Sequence, residues 1–171
     1  MEEQKRSRPS EADRATDDPW GILSRDDDQS FFCMRMLGER YAFDASHALE
    51  VIRLGLLTRL PASPSFLPGV FNHRGEVLAV LDLGQLISDK PTSFAHGSRS
   101  VIVQAGPWKL ALLAEGIEGL IRIRSEDLEP PPSAGSSTAE LLSQVGHDDR
   151  GAVAILDLRR VVDAARARSL A

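Results

Sequence analysis

The chain holds one cysteine, Cys33, among its 171 residues. One thiol cannot close an internal disulfide or supply a cysteine-rich zinc site. No apolar run approaches the roughly 20 residues that cross a bilayer, and the first ten residues contain no apolar stretch that would serve as a secretory signal. These absences predict a soluble, cytoplasmic protein that does not insert into a membrane.

Catalytic and metal-binding motifs are also missing. The sequence contains no G-x-S-x-G, no phosphate-binding P-loop and no G-x-G-x-x-G. Its histidines, at positions 47, 73, 96 and 147, have neither an i,i+4 pair nor a carboxylate at ligand spacing. Cys33 lies on a predicted apolar strand and is expected to pack rather than react. We therefore expect a protein that is not an enzyme and holds no metal or cofactor.

Acidic charge is concentrated at one end of the chain. Residues 1–28 hold nine acidic and five basic side chains, which gives −4 of the chain's net −5. The body is nearly neutral, which argues against nucleic acid as a partner because nucleic acid requires a clustered basic face. Four arginines near the C-terminus form a basic cluster, and the last two, Arg166 and Arg168, fit the cation preference of a helix C-terminus.

The composition of residues 1–28 is polar and without hydrophobic period, which predicts a disordered acidic arm. Its one apolar cluster, residues 19–23, reads P-W-G-I-L. This cluster fits a short docking segment for a partner. It fits equally a segment that packs against the body of the same protein.

Short apolar runs between turn residues predict a mostly β protein, and the hydrophobic content of 42% is enough for a packed core. Residues 30–37 and 39–45 flank Gly38 and predict a hairpin. Residues 48–57 fit a helix or a strand, and residues 139–145 fit a strand or a short helix. Further strands are predicted over residues 100–105, 108–114, 119–124 and 151–156, and a C-terminal helix from Asp157 to about Arg168.

Residues 67–88, LPGVFNHRGEVLAVLDLGQLIS, are the most informative stretch. A Pro-Gly turn, a short strand, an Asn-His-Arg-Gly corner and a second strand lead to a helix that begins at Asp82. Gln85 follows Asp82 by three residues, as in a capping box. The pattern places Asn72 and Arg74 on an exposed corner held by a rigid frame. Such a corner suits recognition better than catalysis, because no acid, base or nucleophile accompanies it.

The second half of the chain repeats the first. An offset of 75 residues places LAVLDL at 78–83 on VAILDL at 153–158, and an offset of 69 residues places the strand at 40–43 on that at 109–112. Each repeat is a small β unit that would be marginally stable alone, so we expect the two to pack together. Aligning the two corners by identical residues places D-D-R-G at 148–151 on N-H-R-G at 72–75.

Two small β units with these motifs resemble the CheW family, the coupling proteins that link chemoreceptors to a histidine kinase in bacterial chemosensory arrays. The resemblance covers about residues 30–162. It is carried by residues 39–41, 50–53, 60–61, 68–70, 72, 74–75 and 82–83 in the first half, and by residues 110–113 and 125–132 in the second.

The resemblance implies a non-catalytic scaffold of two SH3-like five-stranded β-barrels packed together, with a short helix after each. It divides the chain into the acidic arm, residues 1–28, and a CheW-like domain, residues 29–168. The subdomains would cover about residues 29–90 and about residues 98–168.

The resemblance also implies partners. Family members take the tip of a receptor helical hairpin in a groove between the barrels, and the regulatory domain of a CheA-type kinase at the barrel ends. The receptor-binding candidates carried over by position are Ala48, Glu50, Asn72, Arg74 and Gly75, and no residue is assigned to the kinase. The protein would be recruited to receptor clusters. Two alternatives remain open: Asn72 caps its own turn, and Glu50 is a solvated strand residue.

Four positions depart from the family pattern. His73 stands where an apolar residue is usual, Ala79 where a proline is usual, and Ala48 where a branched apolar residue is usual. The pair Ala114-Glu115 replaces Val-Asp. Smaller side chains would reduce apolar contact surface, so a competing prediction is a diverged member that binds the receptor but not the kinase. A small-ligand binder or an enzyme that uses the groove is the remaining alternative.

Overall fold

The computed structural model describes residues 27–133 and 138–171. The predicted arm, including the cluster at 19–23, lies outside this part of the chain except for its last two residues, Asp27 and Asp28, and Asp28 begins a strand. The strands are β1 (Asp28–Met36), β2 (Glu39–Asp44), β3 (Ala48–Arg53), β4 (Gly69–His73), β5 (Glu76–Leu81), β6 (Arg99–Ala105), β7 (Trp108–Leu113), β8 (Gly116–Arg124), β9 (Leu128–Glu129), β10 (Leu142–Asp148) and β11 (Gly151–Leu156). The α-helices are α1 (Leu83–Ser88) and α2 (Leu158–Ser169).

The two ambiguous segments have definite structures. Residues 48–53 form β3, whose side chains alternate between half-buried and exposed, as expected for a strand on a barrel surface. In the second segment, a single 3₁₀ turn at Ala139–Leu141 leads directly into β10. The predicted first hairpin is confirmed, with Phe32 opposite Phe43.

The strands form two curled sheets. We call the five-stranded sheet, in the order β3-β6-β7-β5-β4, the first barrel, and the six-stranded sheet, in the order β8-β1-β2-β11-β10-β9, the second barrel. The predicted mostly β fold with two packed barrel-like units is confirmed. The sixth strand is the two-residue β9, which pairs with β10.

Each barrel combines strands from both repeats. The β1–β2 hairpin of the first repeat belongs to the second barrel, and the β6–β7 hairpin of the second repeat belongs to the first. Both exchanged hairpins are held by parallel pairing, Ala79 opposite Leu110 in one barrel and Ala154 opposite Tyr41 in the other. These pairs are related by the same offsets of 75 and 69 residues as the sequence repeat. The predicted division at residues 29–90 and 98–168 therefore describes the order of the two repeats along the chain. Each sheet, however, includes a hairpin from the other repeat.

Each barrel has its own apolar interior, and a third, larger cluster draws on both barrels and both helices. The first interior includes Phe71 and Leu78, and the second includes Phe31 and the fully buried Cys33. The largest fully buried side chains of the shared cluster are Phe43, Met34, Met36, Leu81, Leu83, Leu86 and Leu112. A shared core is what marginal units of this size require.

The helices begin at equivalent aspartates, as the repeat predicts. The Asp157 carboxylate accepts hydrogen bonds from two backbone N–H groups in the first turn of α2. The Asp82 carboxylate accepts from the backbone N–H of Gln85, and also from the backbone N–H and the hydroxyl of Thr92, at 3.0 and 2.6 Å. The backbone N–H of Asp82 donates to Phe66 rather than to Gln85, so the predicted capping box is only half formed.

The two caps provide a matched stability test. Asp157→Ala removes a cap alone and is expected to lower the free energy of unfolding by about 1 kcal/mol. Asp82→Ala also leaves the buried donors of Thr92 without an acceptor, so we expect about 2–3 kcal/mol. Urea unfolding followed by circular dichroism measures both losses. Equal losses would contradict a structural role for the bond between Asp82 and Thr92.

Candidate partner-binding site

The corner between β4 and β5 is a two-residue turn. Arg74 and Gly75 both have positive φ, 52° and 86°, as a type I′ hairpin turn requires. The backbone N–H of Gly75 donates to the Asn72 side-chain oxygen at 3.0 Å. Asn72 therefore caps its own turn, one of the two alternatives left open by the sequence. The expected exposure of Asn72 and Arg74 is confirmed.

The corner is tied to β3 through Glu50. A terminal nitrogen of Arg74 donates to one Glu50 carboxylate oxygen at 2.8 Å, and His73 Nε2 lies 3.2 Å from the other. Glu50 is thus engaged by the corner rather than simply solvated. The Arg74 side chain stays 76% exposed, so most of its N–H donors face solvent. The result is a cationic fork in a fixed position.

Four of the five residues selected from the sequence come together here, namely Glu50, Asn72, Arg74 and Gly75. Ala48 is the first residue of β3, two positions before Glu50, and it packs against the shared core. Whether these residues bind a receptor remains a prediction.

Sequence reasoning did not select His73 as a site residue. Its side chain is only 18% exposed and lies over Phe71, with ring centres 6.2 Å apart. The imidazole sits on the apolar interior of the first barrel and reaches Glu50 from there. The one signal in the sequence was that a histidine stands where the family usually has an apolar residue.

The equivalent corner between β10 and β11 differs in alignment and in chemistry. Strand pairing sets His73 opposite Glu76 in one corner and Asp148 opposite Gly151 in the other. The structural equivalent of Arg74 is therefore Asp149, not Arg150 as the matching of letters suggested. The alignment by letters failed because both corners contain an Arg-Gly pair, but in the second corner this pair stands one position later relative to the paired strands.

A buried ion cluster closes the corresponding end of the second barrel. The Arg40 guanidinium makes two 2.7 Å bonds to Asp148 and a 3.0 Å contact with Glu118. All three side chains are between 11 and 13% exposed. The bonds from Arg40 hold the pKa of Asp148 below its ordinary value and raise the pKa of Arg40. Burial, reinforced by nearby Glu118, raises the pKa of the Cys33 thiol to about 11, so this thiol packs as predicted.

Exposed apolar side chains gather at the opposite end of the first barrel. They belong to the loop after β3 and to the segment before β6. Leu56 is 83% exposed, Leu60 47% and Phe94 39%. Leu56 and Phe94 line the same shallow depression. Exposed apolar side chains also flank the cationic corner, since Val77, opposite Asn72, is 65% exposed and Leu49, beside Glu50, is 52% exposed.

Two further findings concern residues noted in the sequence. Ala114 is 2% exposed and lies in the shared core, so its small size affects packing rather than an exposed contact surface. Glu115 accepts backbone hydrogen bonds from Gly38 and Ser93. Within residues 27–133 and 138–171, we find neither a cluster of three or more potential metal ligands nor a helix able to span a bilayer.

The chain belongs to the CheW-like domain family, whose sequence model matches residues 30–166. It is 37% identical over 146 residues to the Protein FrzA of Myxococcus xanthus, covering 84% of this chain and 91% of that protein. It is 21% identical to the Chemotaxis protein CheW of Klebsiella aerogenes, covering 78% and 81%.

A solved structure shows the same fold. The scaffolding protein TtCheW of Thermoanaerobacter tengcongensis matches with a TM-score of 0.68 and 23% identity, over 75% of this chain and 88% of that one. Members of the family are non-catalytic scaffold proteins, which agrees with the lack of catalytic motifs in the sequence.

Replacing Arg40 tests the buried ion cluster. Arg40→Met removes the guanidinium bonded to Asp148 and leaves Glu118 with only the more distant Arg150, at 3.7 Å, so we expect a loss of about 3 kcal/mol in unfolding free energy at neutral pH. Because the pKa of Asp148 is lowered in the folded state, its contribution is present above its ordinary pKa of 3.8 and is lost as the pH falls below it. The difference between wild type and variant should therefore shrink towards pH 3.

The matched control is Arg124→Met, since Arg124 pairs with Glu126 and Asp127 on the surface. It should change stability little at either pH. Denaturant unfolding at pH 7 and pH 3 measures all three proteins. An Arg40→Met loss that does not depend on pH would contradict the electrostatic account.

Proposed function

We propose that this protein is an adaptor of a bacterial chemosensory pathway. It couples the signalling tip of a methyl-accepting chemoreceptor to the regulatory domain of a CheA-type histidine kinase. The fixed, exposed guanidinium of Arg74 carries the receptor half of the proposal. Family membership and the likeness to chemotaxis proteins support the rest.

The corner is suited to a helical hairpin tip. Such a tip presents backbone carbonyls and carboxylates, and a guanidinium binds both through directed hydrogen bonds. Glu50 orients Arg74 before a partner arrives, which lowers the conformational entropy lost on binding. The type I′ turn adds a rigid backbone. The partner surface is therefore largely preformed.

The apolar end of the first barrel is the surface we assign to the kinase. Leu56, Leu60 and Phe94 are large side chains held in water, and apolar surface of this kind favours protein association. The assignment also follows the family, in which barrel ends take the kinase. Separate ends would let both partners bind at once and bring the protein to receptor clusters through the receptor.

Reversing the charge of Arg74 tests the receptor half. Arg74→Glu places a carboxylate beside Glu50 and beside the acceptors of the receptor tip, so we expect at least about a tenfold loss of affinity. Isothermal titration calorimetry with a purified receptor tip measures it. Arg122→Glu, on the exposed face of β8, is the control and should bind normally. Unchanged affinity of Arg74→Glu would mean that the corner is not the receptor site.

Replacing Leu56 tests the kinase half. Leu56→Ser removes a side chain that is 83% exposed, so folding should be unaffected while affinity for the kinase regulatory domain falls about tenfold. Leu120→Ser is the control, since Leu120 is 72% exposed on the second barrel. Receptor binding should be unchanged in both variants. Normal kinase binding by Leu56→Ser would contradict this assignment.

The competing function is a diverged member that binds the receptor alone. Wild-type protein that binds the receptor tip but not the kinase domain would select this alternative. Binding to neither would reject both adaptor functions and leave a small-ligand module or an enzyme.

A further inference from the structure

An apolar groove lies between the outer face of the first barrel and α2. Ala79 of β5, Leu110 of β7 and Val162 of α2 line it, with Trp108 and Arg166 beside them. The groove encloses about 210 Å³, and its exposed surface is almost entirely apolar. Trp108 is 43% exposed, which is unusual for so large an apolar side chain. The site is distinct from both surfaces assigned above.

Ala79 helps to leave this groove open. Its side chain lines the groove, and its strand pairs there with Leu110. The small alanine side chain leaves space at this position between the barrel and α2.

The charged residues of the groove are both cations. Arg166 lies over the Trp108 ring, with the guanidinium carbon 4.6 Å from the ring centre. Lys109 pairs with Glu76 on the neighbouring strand. The lining contains no carboxylate. Because Lys109 is already paired, Arg166 is the cation that can face an occupant, and the groove fits apolar side chains with acidic ones beside them.

We propose that the groove is the docking site of the chain's own acidic arm, through residues 17–23. This segment reads D-D-P-W-G-I-L, with two carboxylates directly before the apolar cluster of the arm. Trp20 and Ile22 would cover the apolar floor. Asp17 and Asp18 would lie towards Arg166.

A series of contacts leads from the start of β1 towards the groove. Gln29 of β1 and His47 line one cavity, and His47 Nδ1 lies 2.7 Å from the carbonyl oxygen of Gln104. Gln104 pairs directly with Lys109, which lines the groove. Six residues lie between Trp20 and the first described residue, Asp27, and these seven Cα–Cα steps span up to about 25 Å when extended. This is the length of chain available for docking within one molecule.

The docked arm would lie next to the partner-binding corner. Glu76, which pairs with Lys109, follows Gly75 of the turn directly. A docked arm would bring acidic side chains to this side of the barrel. The proposal concerns the arm and the groove only, and it stands even if the corner binds a different partner.

The test uses the full chain and two-dimensional NMR. The protein has two tryptophans, Trp20 and Trp108, so it gives two indole N–H signals. We expect Trp20→Ala to shift the indole signal of Trp108 and the backbone signals of Ala79 and Leu110 by more than a line width. Glu11→Ala, elsewhere in the arm, should leave these signals in place. Unshifted groove signals in Trp20→Ala would overturn the proposal.

A groove variant provides the reciprocal test. Arg166→Glu should move the Trp20 indole signal to its position in a free peptide of residues 12–26. Arg159→Glu, exposed on the same helix, should leave that signal where it is in the wild type. Circular dichroism verifies that both variants are folded. Shifts that grow with protein concentration would overturn docking within one chain in favour of exchange between copies.

Discussion

The parallel pairing of the exchanged hairpins is the constraint on which the structure depends. β7 lies beside β5 in the first barrel and β2 lies beside β11 in the second, so neither sheet is complete without strands from the other repeat. Parallel strands need a long connection. Between β2 and β11 the chain passes through the first barrel and returns, whereas β5 and β7 are connected through α1 and β6. The exchange also turns the outer faces of both hairpins into the shared core. The two units therefore behave as one cooperative domain.

The two ends of the first barrel are built differently. A type I′ turn and Glu50 hold the cationic corner rigid, while the loops at the other end leave leucine and phenylalanine in water. The second barrel closes the end that corresponds to the corner with the buried cluster around Arg40. A duplicated frame has thus become one barrel with an exposed charged corner and one with an internal ion cluster.

Much of this could be predicted from the sequence. Turn residues and short apolar runs determine the hairpins and the corner locally, and the repeat relates equivalent strands. The hairpin exchange could not be predicted, because both pairings satisfy the same local patterns and only the shared core selects between them. The contact between Arg40 and Asp148 joins residues 108 positions apart, which no spacing rule anticipates. His73 was noted only as a departure, since its partner Glu50 lies on a strand that first meets the corner in the fold.

The exchange also has a consequence for synthesis on the ribosome. The first repeat ends with α1, yet its β5 has no central neighbour until β7 has been made, and its β2 lacks a parallel partner until β11, which ends at Leu156, has emerged. The nascent chain must therefore keep apolar strand edges unpaired through most of its translation. Such edges invite aggregation. The order of translation thus leaves those edges unpaired until the strands of the second repeat have emerged, and chaperones that act at the ribosome exit can cover them during that period.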